Sequence, residues 1–130
     1  MKHLFTFLLL AISATSFAQG NLQFNQVLNF NYSTTIGPVG GIVVVETLTV
    51  PEDKVWKITS ASGHHTGYQQ GVAFRIDNHT LFIDDGGYSQ NIPYWLSEGD
   101  HDVSFKTTST FLNTSCIGSL SIIEFNVITE

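Results

Sequence analysis

Polar and apolar residues alternate along most of this chain, as they do in strands that bury one face. The alternation is clearest near the start, where Leu22, Phe24, Leu28, Phe30 and Tyr32 share one parity and Gln and Asn fill most positions between them. This segment is therefore predicted to be a strand with an apolar inner face and a polar outer face.

Seven further segments of this kind follow, separated by runs rich in Gly, Pro, Asn, Asp and Ser. They are IVVVETLTV, KVWKITSA, VAFRID, LFID, IPYWL, HDVSFKTT and GSLSIIEFNVI. In the last one, apolar residues change parity after Ile122, to Ile123, Phe125 and Val127, which predicts a β-bulge. The pattern predicts an all-β protein, an antiparallel two-sheet sandwich of about eight strands of jelly-roll or Greek-key type.

The connections between these strands alternate in length. Tight turns follow the second, fourth and sixth strands, at residues 51–53, 77–80 and 97–100. Long connections follow the first, third, fifth and seventh strands, over residues 33–41, 62–71, 84–91 and 109–116. If each strand crosses the sandwich once, the four long connections must share one end. Because ordering long loops costs entropy, loops of this length often carry function.

The N-terminal segment has the features of a secretory signal peptide. Lys2 and His3 precede an apolar run over residues 4–12, and Ser16-Phe17-Ala18 forms a small-x-small cleavage signal. The run is shorter than the roughly 20 residues of a transmembrane helix. We therefore expect a signal peptide over residues 1–18, one β-sandwich domain over residues 19–130, no membrane insertion, and a secreted protein, extracellular or periplasmic.

Charge and cysteine content narrow the possible partners. Residues 19–130 contain four Lys and Arg residues and eleven Asp and Glu residues, so the chain is acidic. This balance argues against nucleic acid and anionic membranes, which are bound by clustered basic residues. Cys116 is the only cysteine, so no intrachain disulfide can form, and we expect it to be a small buried apolar side chain.

Aromatic and amide side chains concentrate in the long connections. Aromatic rings cover the apolar C–H faces of sugars, while Asn, Gln and Asp bind sugar hydroxyls. The same residues suit a protein surface, and turn chemistry alone also enriches loops in Asn and Gln. The candidate ligand-binding residues are His64, His65, Tyr68, Gln69, Gln70, Asp85, Tyr88, Asn91, Phe111 and Asn113.

The histidines are poorly spaced for a metal site. His79 and His101 are predicted near the tight turns, away from His64 and His65, whose side chains point to opposite sides of an extended segment. A closed site needs three or more ligands within bonding distance. We therefore expect no metal and no other cofactor.

Catalytic motifs are missing from the sequence. It contains no G-x-S-x-G elbow and no H-E-x-x-H helix. The adjacent Asp84 and Asp85 are badly placed to flank a sugar from two sides, as glycoside hydrolysis requires. We expect a non-catalytic protein, and a small secreted hydrolase is the third hypothesis.

Several strands carry bulky residues on both parities, which leaves apolar area for a subunit or partner interface. The candidate interface residues are Val44, Trp56, Phe82 and Trp95. The leading hypothesis is a binding module that recognises a glycan or a surface protein through its long loops. The alternative is a structural subunit that forms a homo-oligomer through an apolar sheet face.

Overall fold

The computed structural model describes residues 21–37, 41–66, 71–84, 88–107 and 114–128, and these form nine strands. The strands are β1 (Asn21–Ile36), β2 (Gly41–Val50), β3 (Lys54–Thr66), β4 (Val72–Ile76), β5 (His79–Asp84), β6 (Tyr88–Gln90), β7 (Tyr94–Leu96), β8 (Gly99–Thr107) and β9 (Thr114–Ile128). Within this part of the chain no helix is long and apolar enough to cross a membrane.

The strands form two antiparallel sheets, which confirms the predicted sandwich. Sheet A has the order β1-β9-β3-β7, and sheet B has the order β2-β8-β4-β5-β6. The first and last strands of the chain are neighbours, and most successive strands alternate between the sheets, which is a jelly-roll arrangement. Eight strands were predicted, and the additional one is β6. It is three residues long and lies in a segment predicted to be a loop.

The centre of the sandwich is a group of aromatic rings packed against two glycines. The rings of Phe74 and Phe105 from sheet B stack with their centroids 4.8 Å apart. They face Gly118 of β9, which pairs with Gly63 of β3. A Cβ atom on Gly118 would lie 2.8 Å from Cζ of Phe105, and one on Gly63 would lie 3.0 Å from Cδ1 of Phe82. The glycine pair therefore lets the two sheets approach at this point.

Bulges in β1 and β3 change which side chains face inward. In β1 the register shifts between Phe24 and Gln26, so Leu22 and Phe24 face outward although Leu28, Phe30 and Tyr32 face inward. The prediction of one apolar face along the whole strand is therefore wrong. In β3 a similar shift lies between Ile58 and Ser60.

The bulge predicted in β9 is not found. Its inward residues keep one parity, from Cys116 through Leu120 and Ile122 to Glu124, all of them buried. Ile123 and Phe125 accordingly lie on the outer face, where Ile123 pairs with Val27 of β1. The apolar residues that suggested a parity switch are outward residues, and the inward position between them holds a carboxylate.

His101 joins two of the tight turns. Its Nδ1 lies 2.8 Å from Oδ2 of Asp77, and its Nε2 lies 2.9 Å from the carbonyl oxygen of Ser97. Both neighbours are acceptors, so both bonds require the doubly protonated ring. Burial lowers the pKa of His101, but these bonds and the charges of Asp77 and Asp100 outweigh burial and raise the pKa.

The glycine pair yields a first prediction. Gly118→Ala should lower the free energy of unfolding by about 1–3 kcal/mol, because the new methyl group collides with two aromatic rings in a packed core. Gly37→Ala is the control, since a Cβ at Gly37 meets nothing within 4 Å. Urea denaturation of both variants measures the difference, and equal stabilities would show that the close approach at Gly118 is unimportant.

The histidine contact yields a second prediction, for which Asp77→Asn is suited because Asp77 has a φ of 50° that Asn tolerates. The raised pKa means that protonated His101 stabilises the fold below its ordinary pKa of 6.5, and that this contribution is lost as the pH rises through the folded value. Wild type should therefore exceed the variant in stability by roughly 0.5–1 kcal/mol at low pH and by less at high pH.

Urea denaturation at pH about 5.5 and about 8.5 measures this difference. Asp53→Asn is the matched control, because Asp53 occupies another turn with a φ of 60°. The same gap between wild type and Asp77→Asn at both pH values would contradict the charged contact.

Candidate functional site

The four long connections leave the sandwich at one end, which we call the long-loop end. In sheet A, Ile36 pairs with Thr114 and Thr66 with Ser115. In sheet B, Val72 at the start of β4 pairs with both Asp84 and Thr107. The turns that follow β2, β4 and β7 lie at the opposite, tight-turn end. These registers agree with the predicted division of the connections between two ends. The predicted bounds of the long connections are wrong, because β1 continues to Ile36, β3 continues to Thr66, and β6 lies within the connection predicted over residues 84–91.

His65 and Asp84 bring the two sheets together at the long-loop end. Nδ1 of His65 lies 2.9 Å from Oδ2 of Asp84, and the two side chains are 11% and 21% exposed. The histidines were predicted in a loop, but both lie in β3, which pairs with β9 up to Ser115. They therefore point to opposite sides of the sheet, and His64 is exposed on the outer one. Asp84 was not among the predicted ligand residues, although connection parity alone places the end of β5 at this end.

The remaining predicted ligand residues are only partly located. Tyr88 begins β6 and pairs with Asp84, so its backbone lies at the long-loop end. Asn91 is placed elsewhere: its backbone N–H donates to the carbonyl of Leu81 (3.0 Å) and its side chain donates to the carbonyl of Thr80 (3.0 Å). The cause is β6, which runs back along β5. The predicted residues outside the described part of the chain are Tyr68, Gln69, Gln70, Asp85, Phe111 and Asn113.

The candidate interface residues divide into two buried and two exposed side chains. Trp56 and Phe82 belong to the core, at 6% and 5% exposure, so they are unsuited to a subunit interface. Val44 is exposed on edge strand β2 of sheet B. Trp95 is 46% exposed, lies against Phe125 of β9 with ring centroids 5.8 Å apart, and thereby belongs to the outer side of sheet A.

Half of the outer side of sheet A is apolar, and we call this half the apolar face. Cross-strand pairs define it, since Leu22 pairs with Val127, Phe24 with Phe125, and Val27 with Ile123. It lies near the tight-turn end and receives side chains from all four strands. Its members are Leu22, Phe24, Val27, Val55, Trp95, Ile123, Phe125 and Val127. The other half of the same side is polar, with Ser62 and Ser119 hydrogen-bonded at 2.6 Å.

On the inner side of the sheet, beneath the apolar face, a polar cluster lies at the border of the core. Glu124 is 4% exposed there and accepts hydrogen bonds from three side chains. Nε1 of Trp56 donates to its Oε2 (2.7 Å), Nε2 of Gln26 donates to its Oε1 (3.0 Å), and Asn25 donates to the same Oε1. Lys54 lies close enough to interact with the charge. Both carboxylate oxygens therefore have donors, which a buried carboxylate requires.

These contacts keep Glu124 ionised. Burial raises the pKa of the carboxyl, but the hydrogen bonds from Asn25, Trp56 and Gln26 and the charge of Lys54 outweigh burial and lower the pKa. Glu124 is the only charged residue in the segment GSLSIIEFNVI. The change of apolar parity next to it was interpreted as a β-bulge, whereas it marks the buried carboxylate.

Two other features bear on chemistry at the long-loop end. Cys116 is fully buried opposite His65 in the β3–β9 register, as expected for a small apolar side chain, and burial raises the pKa of its thiol. Among the described residues, no group of three or more His, Cys, Asp and Glu side chains is placed to hold a metal ion.

The polar cluster yields a third prediction. Glu124→Gln should lower the free energy of unfolding at neutral pH by about 1–3 kcal/mol, because its amide group would face one of the present donors. Since the folded pKa of Glu124 is lowered, its ionised form stabilises the fold above the ordinary pKa of 4.5, and that contribution is lost as the pH falls through the folded value. The difference between wild type and variant should therefore shrink in acid.

Urea denaturation at several pH values tests this, with Glu52→Gln in an exposed turn as the control. A wild-type protein no more stable than Glu124→Gln at neutral pH would show that the carboxylate contributes nothing beyond its shape.

Comparisons with protein-family models, with curated proteins and with solved structures find no match to this chain. Its function is therefore inferred from the long-loop end and the apolar face.

Proposed function

We propose that the protein is a secreted, non-catalytic binding domain that holds a glycan or a protein surface at its long-loop end. The observation that carries the proposal is that the connections after β1, β3, β5 and β8 all leave the sandwich at this end. Long loops on a rigid β scaffold are a common way to present binding residues.

The composition of this end supports a neutral ligand. Its connections contain Tyr68, Gln69, Gln70 and Asn113, which offer aromatic faces together with amide donors and acceptors. His64 is exposed near the end of β3, a few residues before Tyr68 in the sequence. The acidic balance of the chain disfavours phosphate-rich partners.

The described groups at this end also favour binding over catalysis. The thiol of Cys116 has a raised pKa and is buried, so it stays protonated and is shielded from a substrate. Nδ1 of His65 lies 2.9 Å from Oδ2 of Asp84 but makes no hydrogen bond within the described part of the chain, so the two residues do not form a hydrogen-bonded His–Asp pair. A hydrolase therefore remains the weaker hypothesis.

A glycan array followed by solution affinity measurements tests the proposal, and this is our fourth prediction. Wild type should bind a defined set of glycans, and replacing Tyr68 and Gln69 together by Ala should weaken that binding at least about 10-fold, because stacking and hydrogen bonds are lost together. The melting temperature should change little, as is usual for loop substitutions away from a core.

The matched control is a double substitution of Glu52 and Glu98 by Ala, since both residues are exposed at the tight-turn end. It should leave binding unchanged. If the array finds no glycan, the same variants are used to test proteins captured from cell surfaces. Equal losses in the two double variants, or a ligand lost only in the control, would contradict a site at the long-loop end.

A further inference from the structure

The apolar face of sheet A is large and concentrated. Four of its side chains are about half exposed: Leu22 (44%), Phe24 (59%), Val27 (54%) and Trp95 (46%). Single exposed apolar residues are ordinary on protein surfaces, whereas a continuous group that extends over four strands marks an interaction surface. Exposure of this group is opposed by the hydrophobic effect unless something covers it.

The local sequence places these residues outward because polar residues occupy the inward positions. Glu124 is buried on the inner side and Gln26 is bonded to it there, so Ile123, Phe125 and Val27 face out on the same two strands. In an ordinary sandwich the arrangement is reversed, with the apolar residues inside. The sheet is therefore built to bury both sides at this end, the inner side around Glu124 and the outer side against another molecule.

We infer that a second copy of this chain covers the apolar face, with the two faces packed against each other about a two-fold axis. A pleated sheet surface is matched by another sheet surface at a spacing of about 10 Å. A two-fold pairing uses the same patch twice, so one self-complementary surface is sufficient.

The charge of the face fits a second copy. Its members include no carboxylate, although the chain carries eleven Asp and Glu side chains. Two copies can therefore meet here without the repulsion that other parts of this acidic surface would produce. One charged side chain lies within the face: Lys57 pairs with both Ile123 and Trp95, and its Nζ lies 5.1 Å from the centroid of the Trp95 ring. A two-fold axis near Phe125 of the inner strand β9 would place the Lys57 side chains of the two copies on opposite sides of the axis.

The area of the apolar face is of the same order as the area that a stable dimer buries. The four half-exposed side chains and their half-buried neighbours supply about 500 Å², if an exposed large side chain has roughly 200 Å² of surface. A stable complex buries about 800 Å² from each partner. The face therefore supplies more than half of the required area, and the surrounding rim supplies the remainder.

Sedimentation velocity over a range of protein concentrations tests this inference. Wild type should form a dimer, and Phe24→Asp should raise its dissociation constant by about 100-fold or more, because a charge would be buried without a partner. Ile117→Asp is the matched control: Ile117 is 48% exposed on the outer side of the same sheet, but in β9 and beyond the polar pair Ser62 and Ser119. It should leave the dimer intact.

Trp95 provides a readout that needs no variant. The chain has two tryptophans, and Trp56 is 6% exposed, so acrylamide quenching of fluorescence reports mainly on Trp95. Quenching should be weak in the concentrated dimer and increase on dilution. A wild type that stays monomeric with Trp95 quenchable at every concentration would overturn the inference, and so would an oligomer that Phe24→Asp and Ile117→Asp preserve equally. A monomer that instead binds lipid vesicles through Phe24 would assign the face to a different occupant.

Discussion

The hydrogen bonds to the Glu124 carboxylate determine which way one half of sheet A faces. A charge at 4% exposure is tolerated only if its oxygens are bonded, and here Trp56, Gln26 and Asn25 donate to them. Two of these donors come from the bulge region of β1, where the extra residue lets consecutive side chains reach inward. Because side chains alternate along a strand, this inner cluster obliges the apolar residues of β1 and β9 to point outward. The polar interior and the apolar face are thus two results of one constraint.

In the rest of the sandwich, most apolar side chains face inward and most polar side chains face outward. Beyond the bulges, β1, β3 and β9 place Tyr32, Ala61 and Leu120 inward and Ser and Asn residues outward. The glycine pair at Gly63 and Gly118 allows the rings of Phe74 and Phe105 to fill the space between the sheets. This centre links the tight-turn end, fixed by His101, to the long-loop end, where His65 meets Asp84. The loops therefore extend from a packed support.

The class of fold was predictable from the sequence because period-two alternation and turn residues are local signals. Connection lengths also assigned the connections to the correct ends, since parity requires no knowledge of strand order, although β1 and β3 extend into two of the predicted loops. Register was harder: a bulge moves every later side chain to the other face, and the local signs of it near Phe24 are only a polar Gln26 on the apolar parity and an apolar Val27 on the polar one. Asn91 was misplaced for a related reason, since the three-residue strand β6 is too short to give a pattern. The parity change after Ile122 was visible, but its explanation required the partners of Glu124, which are distant in the sequence.

The two proposed surfaces are compatible because they lie at different ends of the molecule. The apolar face belongs to the part of sheet A near the tight turns, whereas His64, His65 and the backbone of Tyr88 lie near the opposite ends of their strands. A dimer formed through the apolar face would therefore leave both long-loop ends uncovered. If each long-loop end binds a ligand as proposed, two such sites held in one particle would bind a repeated ligand far more tightly than one site. Self-association would then serve recognition, since the residues that form the dimer and the residues that touch the ligand are different.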